Sequence, residues 1–121
     1  MIKTMSEASV SQQLLHKIRL DIIHGKYPPG SQFPAVRSLA YEESINPNTV
    51  QKVLCMLEED GLLICLSTKG RFVTEDQDVI NRVRSLLQQD YLRRVRQGAR
   101  ELGITKEQFM QFLEESEEED A

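Results

Sequence analysis

Apolar side chains in the first part of the chain recur every three or four residues, which is the spacing of one face of an α-helix. This pattern predicts a first helix over residues 10–24, capped by Ser9 or Ser11 and stopped by Gly25. The next segment, residues 26–31, contains two adjacent prolines and a glycine. It cannot continue a helix, so the chain must turn there.

Two more helices follow, separated by a three-residue turn. The first is predicted over residues 35–43, with Pro34 in its first turn. The second begins where Asn46 can cap the helix and Pro47 can occupy the first helical position, and it stops at Gly61. Its predicted buried face consists of Val50, Val53, Leu54 and Leu57. Two helices joined this closely, the second opening with small polar side chains, predict a helix-turn-helix.

A short hairpin is predicted after the third helix. Residues 62–66 form an apolar run too short for an independent helix, and residues 71–74 form a second short strand. Residues 67–70 connect the two strands as a turn with a basic tip. Three helices followed by a basic hairpin predict a winged helix-turn-helix, a mainly α fold with a small β-wing. We assign residues 1–75 to this domain.

The last third of the chain, residues 76–121, has a different pattern. One continuous stripe predicts a helix over residues 76–102, and its apolar members are Ile80, Val83, Leu87, Tyr91, Val95, Ala99 and Leu102. Gly103 ends this helix, and a capping box at Thr105–Gln108 opens a final one, whose predicted buried residues are Ile104, Phe109, Phe112 and Leu113. Two helices cannot form a core alone, so the stripe must pack on the first domain, on a second copy, or on both.

Dimerisation is the simplest way to cover that stripe. We therefore predict a two-helix dimerisation segment whose interface contains Ile80, Val83, Leu87, Tyr91, Val95 and Leu102. A ligand pocket lined by the same stripe is the alternative. The arginines on another face of this helix form ion pairs or meet solvent in one interpretation and bind DNA in a second.

Composition and charge narrow the class of protein. The chain is 40% hydrophobic and 28% charged, as globular proteins are, and no stretch reaches the ~18 apolar residues of a membrane span. The amino-terminal residues lack the apolar core of a secretory signal and two cysteines cannot frame a disulfide-rich fold, so we expect a cytoplasmic location. The net charge of −4 resides in residues 76–121, largely in an acidic run over residues 114–120 that we interpret as a solvated end. Because residues 1–75 are neutral, the acidic total does not exclude a polyanionic partner.

Five segments, in order and together, carry a resemblance to a known family. They are residues 18–30 (ending HGKYPPG), 33–40 (FPAVRSLA), 46–52 (NPNTVQK), 57–62 (LEEDGL) and 69–73 (KGRFV). The chain resembles the GntR family of bacterial transcriptional regulators, and its short two-helix tail resembles the YtrA-like subfamily. The resemblance implies a homodimer that binds a pseudo-palindromic DNA operator, usually as a repressor. Two positions depart from the family pattern, in which Ser often replaces Ala35 and Thr often replaces Arg71.

The predicted DNA-binding residues lie on the second helix, the third helix and the hairpin. They are Arg37, Asn48, Thr49, Gln51, Lys52, Lys69, Gly70 and Arg71. The family's arginine at the position of Arg37 contacts DNA, and the first turns of the third helix enter the major groove in this motif. Glycine allows close approach at the wing, where cations are attracted to a narrow minor groove.

Each of these residues also has a plainer interpretation. Arg37 can form a surface ion pair with Glu42 or Glu43, and Asn48 and Thr49 can serve only as local helix caps. The hairpin can be an ordinary exposed turn with basic residues. Cys55, one turn beyond Gln51, is interpreted as a semi-exposed cysteine, with a redox switch as the alternative.

Other classes of function find less support in the residues. The two histidines have no paired nucleophile, and no phosphate-binding glycine loop is present, so we predict no enzyme, no cofactor and no metal. A winged-helix module that binds protein is the alternative, but protein docking favours exposed apolar groups where this chain has polar and basic ones. The sequence leaves open whether a small-molecule effector exists, and it names no membrane partner.

Overall fold

The computed structural model describes the backbone of residues 9–120 and the side chains of residues 9–116. The elements are α1 (Val10–Ile23), α2 (Val36–Glu43), α3 (Pro47–Asp60), β1 (Leu63–Cys65), β2 (Arg71–Val73), α4 (Gln77–Leu102) and α5 (Lys106–Asp120). The chain divides into two compact units between Arg84 and Ser85. The predicted mainly α fold with a small two-stranded wing is confirmed.

Helix α3 lies at the centre of the first unit, packed against α1, α2 and β1. Its four predicted core residues, Val50, Val53, Leu54 and Leu57, have no exposed surface. The core residues from α1, α2, the sheet and the segments next to them are Leu14, Ile18, Ile22, Phe33, Leu39, Ala40, Leu62, Leu63 and Val73. Because one face of α3 is buried in this core, the opposite face of the helix is exposed to solvent.

The helix starts follow local hydrogen-bonding chemistry. Ser9 caps α1, where its hydroxyl accepts the Gln12 N–H and the Gln12 side chain accepts the Ser9 N–H. The prediction that Pro34 lies in the first turn of α2 is wrong, because Ala35 is the extended N-cap and the helix begins at Val36. The physical reason lies one residue earlier. Phe33 donates its N–H to the Arg71 carbonyl at 2.8 Å, which holds this segment extended along the sheet.

The wing is built on β2. Strand β1 pairs antiparallel with β2, with Leu63 opposite Val73 and Cys65 opposite Arg71. The segment before α2 lies along the other edge of β2, where Gln32 and Phe72 form a bridge. The predicted turn between the strands is one turn of 3-10 helix, Ser67–Lys69, followed by Gly70. Strand β2 is therefore supported on both edges.

The first turns of α4 belong to the first unit. Asp76 accepts the Asp78 N–H at 2.9 Å, and Ile80 and Val83 are 3% and 6% exposed in the single chain. The prediction that Ile80 and Val83 face a partner subunit is therefore wrong, because they complete the core of their own chain. The domain boundary predicted at residues 75 and 76 stays a prediction.

The second unit consists of the rest of α4 and α5. The predicted capping box is present, with the Gln108 N–H donating to the Thr105 hydroxyl and the Thr105 N–H donating to the Gln108 side chain. The expected burial of Ile104, Phe112 and Leu113 does not occur within one chain, where they are 40%, 60% and 43% exposed. Most of the acidic run, residues 117–120, has side chains outside the described residues.

Candidate nucleic-acid interface

The amino-terminal turn of α3 is held by Asn46 rather than left open. The Asn46 side-chain oxygen accepts the Asn48 N–H at 2.8 Å, and its carbonyl accepts the N–H groups of Thr49 and Val50 at 3.0 and 3.1 Å. Three backbone donors of this turn are thus satisfied within the protein. In this geometry a phosphate contact at the start of α3 falls to side chains rather than to these backbone N–H groups.

The predicted outward residues of α3 lie where helical spacing placed them. Asn48, Gln51 and Lys52 are exposed, and Thr49 is half-buried. The Gln51 side-chain NH₂ lies 3.6 Å from the Cys55 sulfur, one turn further along. This contact is weak, so the Gln51 amide remains able to meet a base edge with both a donor and an acceptor. The four side chains form one polar surface with a single charge, that of Lys52.

Arg37 is exposed on α2, and the ion pairs among residues 9–116 do not include it. The alternative partner Glu43 is instead paired with Lys17 on α1 at 2.5 Å. This contact raises the pKa of the Lys17 ammonium, because the Glu43 carboxylate accepts its hydrogen bond and stabilises its charge. The ion pair joins α1 to α2 and leaves the Arg37 guanidinium available.

Tyr41 was missed by the sequence analysis. It lies four residues after Arg37 on α2, on the same face of the helix, and it is 90% exposed. Both side chains line an open groove whose other walls are Ala40, Ile45 and Pro47. The signal available in the sequence was the spacing of an aromatic residue one turn from a predicted DNA-contacting arginine.

The three predicted wing residues lie in different environments. Lys69 is exposed at the tip. Gly70 adopts a φ of +98°, and a Cβ there would lie 3.3 Å from the Gln32 side-chain nitrogen, which suits glycine. Arg71 is only 19% exposed, and its Nε donates to the Glu58 carboxylate on α3. The structure thus places Lys69 and Gly70 at the surface and ties Arg71 to the protein.

The comparisons with known proteins bear on the same region. The family model described as "Bacterial regulatory proteins, gntR family" matches residues 10–73, which include α1, α2, α3 and the wing. The chain belongs to the GntR family. The predicted family is confirmed, and with it the winged helix-turn-helix and a role in DNA-binding transcriptional regulation.

Two regulators and one solved structure illustrate the likeness. The chain is 25% identical over 108 residues to the HTH-type transcriptional regulator YhcF of Bacillus subtilis, covering 89% of each chain. It is 31% identical over 75 residues to the HTH-type transcriptional repressor YtrA of the same organism, covering 62% of this chain and 58% of YtrA. A GntR family regulator from Listeria monocytogenes superimposes with a TM-score of 0.84 at 25% identity, covering 93% of this chain and 98% of that one. These matches confirm the prediction that the chain is a YtrA-like regulator of the GntR family.

Two further observations concern other kinds of site. Among the described residues, no three His, Cys, Asp or Glu side chains are grouped so as to hold a metal ion. Within the same part of the chain, no helix combines the length and apolar character needed to cross a membrane.

Proposed function

We propose that this GntR-family regulator represses transcription by binding a pseudo-palindromic operator as a homodimer. The observation that carries the proposal is the polar, exposed first turns of α3 flanked by two available cations, Arg37 on α2 and Lys69 on the wing. Helix-turn-helix proteins place the amino-terminal turns of their recognition helix, which is α3 in this chain, against base edges in the major groove. As part of the same proposal, the protein acts in the cytoplasm, where bacterial operators lie.

The side chains of the interface divide into those that select bases and those that hold phosphates. Gln51 offers the donor and acceptor pair that matches adenine, while Lys52 matches guanine or a phosphate. Asn48 and Thr49 lie at the start of α3, where short polar groups reach the backbone or a base edge. Arg37 supplies a cation from α2, and Tyr41 adds a hydroxyl beside it for a phosphate oxygen.

The wing supplies the minor-groove side of the same proposal. Lys69 extends into solvent at the tip of the hairpin, and Gly70 allows the backbone to approach the DNA closely. Cations at this position are drawn to narrow, strongly negative stretches of the minor groove. We therefore assign Lys69 and Gly70 to DNA contact at the flanks of each half-site.

The second unit supports a homodimer. One chain leaves large apolar side chains of α4 and α5 in water, including Leu86, Tyr91, Leu92, Leu102, Met110 and Phe112, each about half or more exposed. Soluble monomers rarely expose so many neighbouring apolar groups, and a second copy covers them with an identical surface. Leu87, Tyr91, Val95 and Leu102 remain our predicted interface residues. Two copies related by a two-fold axis match an operator with two-fold symmetry.

The proposed repressor role rests on the similarity to a known repressor and on the simple mechanism that operator binding provides. YtrA of Bacillus subtilis, the 31% identical relative, is described as a transcriptional repressor. A dimer that occupies its operator blocks access to that DNA without requiring any further activity.

The test is selection of bound sequences from a random duplex pool, with the purified protein at two salt concentrations. We expect a two-fold-symmetric site and, if each subunit neutralises three or four phosphates, a slope of log K against log salt of about −5 to −7. Steep salt dependence without an enriched sequence would contradict sequence-specific regulation. Absence of retention at low salt would contradict DNA binding and favour protein docking. Repression is tested separately, with the selected site placed in a reporter promoter.

A further inference from the structure

Arg71 carries a charge at the wing that the family pattern often lacks, and the structure directs that charge inward. Its Nε donates to the Glu58 carboxylate in the last turns of α3, and the two side chains are only 19% and 31% exposed. A guanidinium bound to a carboxylate in a half-buried setting is held in place more firmly than an exposed one. Arg71 is therefore poorly placed to reach a phosphate.

A second contact holds the same hairpin from the opposite side. The Gln32 side-chain NH₂ donates to the Lys69 carbonyl at the tip of the wing at 3.1 Å. The backbone of the same segment bonds β2, through the Phe33 N–H and the Arg71 carbonyl at 2.8 Å. The hairpin itself is short, with three residues in each strand, and such a hairpin is marginal on its own. The side-chain contacts of Arg71 and Gln32 therefore add to this backbone pairing in holding the tip of the hairpin.

We propose that Arg71 is a positioning residue, which fixes the wing to the recognition helix through Glu58 so that Lys69 and Gly70 meet the DNA in register with α3. This inference rests on the proposed DNA binding and revises our sequence-based assignment of Arg71 as a DNA contact. Gln32 assists from the other edge of β2. The pair acts before DNA binds, because a wing that is already ordered loses less conformational entropy on binding.

The experiment compares Arg71→Gln with Lys69→Gln, two variants that each remove one cation from the same hairpin. Order parameters of the backbone N–H groups of residues 66–70 are measured by NMR relaxation in the unbound protein. Affinity for the operator duplex chosen by the wild type is measured at several salt concentrations. In Arg71→Gln we expect order parameters to fall from about 0.85 toward 0.6 or below. We expect weaker operator binding, by about three- to tenfold, with an unchanged salt slope.

Lys69→Gln should behave in the opposite way, with unchanged order and a salt slope shallower by about 0.9 per subunit, the value expected when one fewer DNA charge is neutralised by the protein. A third variant, the exchange Glu58→Arg with Arg71→Glu, preserves net charge and should recover order that Arg71→Glu alone loses. The proposal is overturned if Arg71→Gln makes the salt slope shallower, or if the wing stays ordered. If the wild type retains no duplex, DNA binding fails, and the NMR comparison still decides whether Arg71 holds the wing.

Discussion

Arg19 and Asp60 form a two-point ion pair that joins α1 to the last residue of α3. The Arg19 Nε lies 2.8 Å from Asp60 Oδ2, and its Nη2 lies 3.0 Å from Oδ1. The two side chains are 25% and 20% exposed, so the pair is largely removed from water. Such parallel bonds fix orientation as well as distance. The contact therefore holds the far end of the recognition helix, while Asn46 holds its start.

Arg19→Gln should destabilise the protein more than removal of an exposed arginine. The variant leaves the Asp60 carboxylate half-buried without its cation, which we expect to lower the free energy of unfolding by about 1–3 kcal/mol. Urea titration measures the difference. The control is Arg93→Gln, whose pair with Asp90 is well exposed and should be worth less than about 1 kcal/mol. Equal effects of the two substitutions would contradict this account of the ion pair.

Local signals predicted the helix-turn-helix because its determinants lie close together in sequence. Asn46 marks the start of α3 because its side chain caps the helix. Pro47 marks it because proline lacks a backbone N–H, which has no partner at the first helical position, and the helix does begin at Pro47. The four buried positions of α3 follow from helical periodicity alone. These features need no knowledge of distant residues.

Features that depend on distant residues were beyond the sequence pattern. Periodicity placed Ile80 and Val83 on the same stripe as Tyr91, but it does not say what covers each turn of a long helix. The first turns meet their own domain, whereas Tyr91 is 61% exposed. Arg71 was likewise assigned to DNA from its position in the wing, since nothing in the pattern identifies Glu58, thirteen residues earlier, as its partner.

Arg37 and Lys52 should each contribute a phosphate or base contact to operator binding. We expect Arg37→Gln and Lys52→Gln to weaken binding by about tenfold, which corresponds to about 1.4 kcal/mol. A cation bound to a phosphate also contributes to the salt dependence, so its loss makes the slope shallower by about 0.9 per subunit. The measurement is fluorescence anisotropy on the selected duplex.

The control for those variants is Lys26→Gln, which removes a charge after α1 that lies 3.6 Å from Asp21. It should leave both affinity and salt slope close to the wild-type values. A similar loss in Lys26→Gln would mean that binding follows overall charge rather than the proposed interface.

Tyr41 should matter for DNA binding and not for folding. Because the side chain is 90% exposed, Tyr41→Ala should change the free energy of unfolding by less than about 0.5 kcal/mol. Loss of one neutral hydrogen bond to a phosphate, worth about 0.5–1.5 kcal/mol, should weaken operator binding about two- to tenfold. Tyr41→Phe, which removes only the hydroxyl, should show the same loss. Unchanged affinity in Tyr41→Phe would show that the hydroxyl makes no such contact.

Tyr27 should make stability depend on pH in the alkaline range. Burial against Phe33, with ring centroids 4.8 Å apart, raises the pKa of the Tyr27 phenol above its usual value of 10.0. The folded protein then holds the phenol proton more tightly than the unfolded chain, so stability is lost as pH rises through and above 10. Wild type should lose more unfolding free energy between pH 9 and pH 11 than Tyr27→Phe does. The raised pKa of Lys17 acts in the same direction in both proteins, because its main cause, the hydrogen bond to the Glu43 carboxylate, is present in both.

The exposed apolar side chains of the second unit should form the interface between two copies of the chain. In Tyr91→Glu and in Phe112→Glu, a carboxylate replaces a ring that is about 60% exposed in the single chain. Folding of one chain should tolerate this change, whereas a charge buried between two copies is costly. Sedimentation velocity at micromolar concentration should therefore show a dimer for the wild type and a monomer for both variants. The monomers should also bind the full operator at least tenfold more weakly, because the second half-site no longer benefits from the first.

The matched control for the dimer is Gln97→Glu, which adds the same charge at an exposed position that the helical repeat of 100° per residue places about 120° or more around α4 from Tyr91, Leu92 and Leu102. It should remain a dimer and bind the operator as the wild type does. If Tyr91→Glu and Phe112→Glu stay dimeric, the exposed stripe is not the interface and the two-fold operator needs another source of symmetry. If all three variants dissociate, the dimer depends on net charge and not on apolar burial.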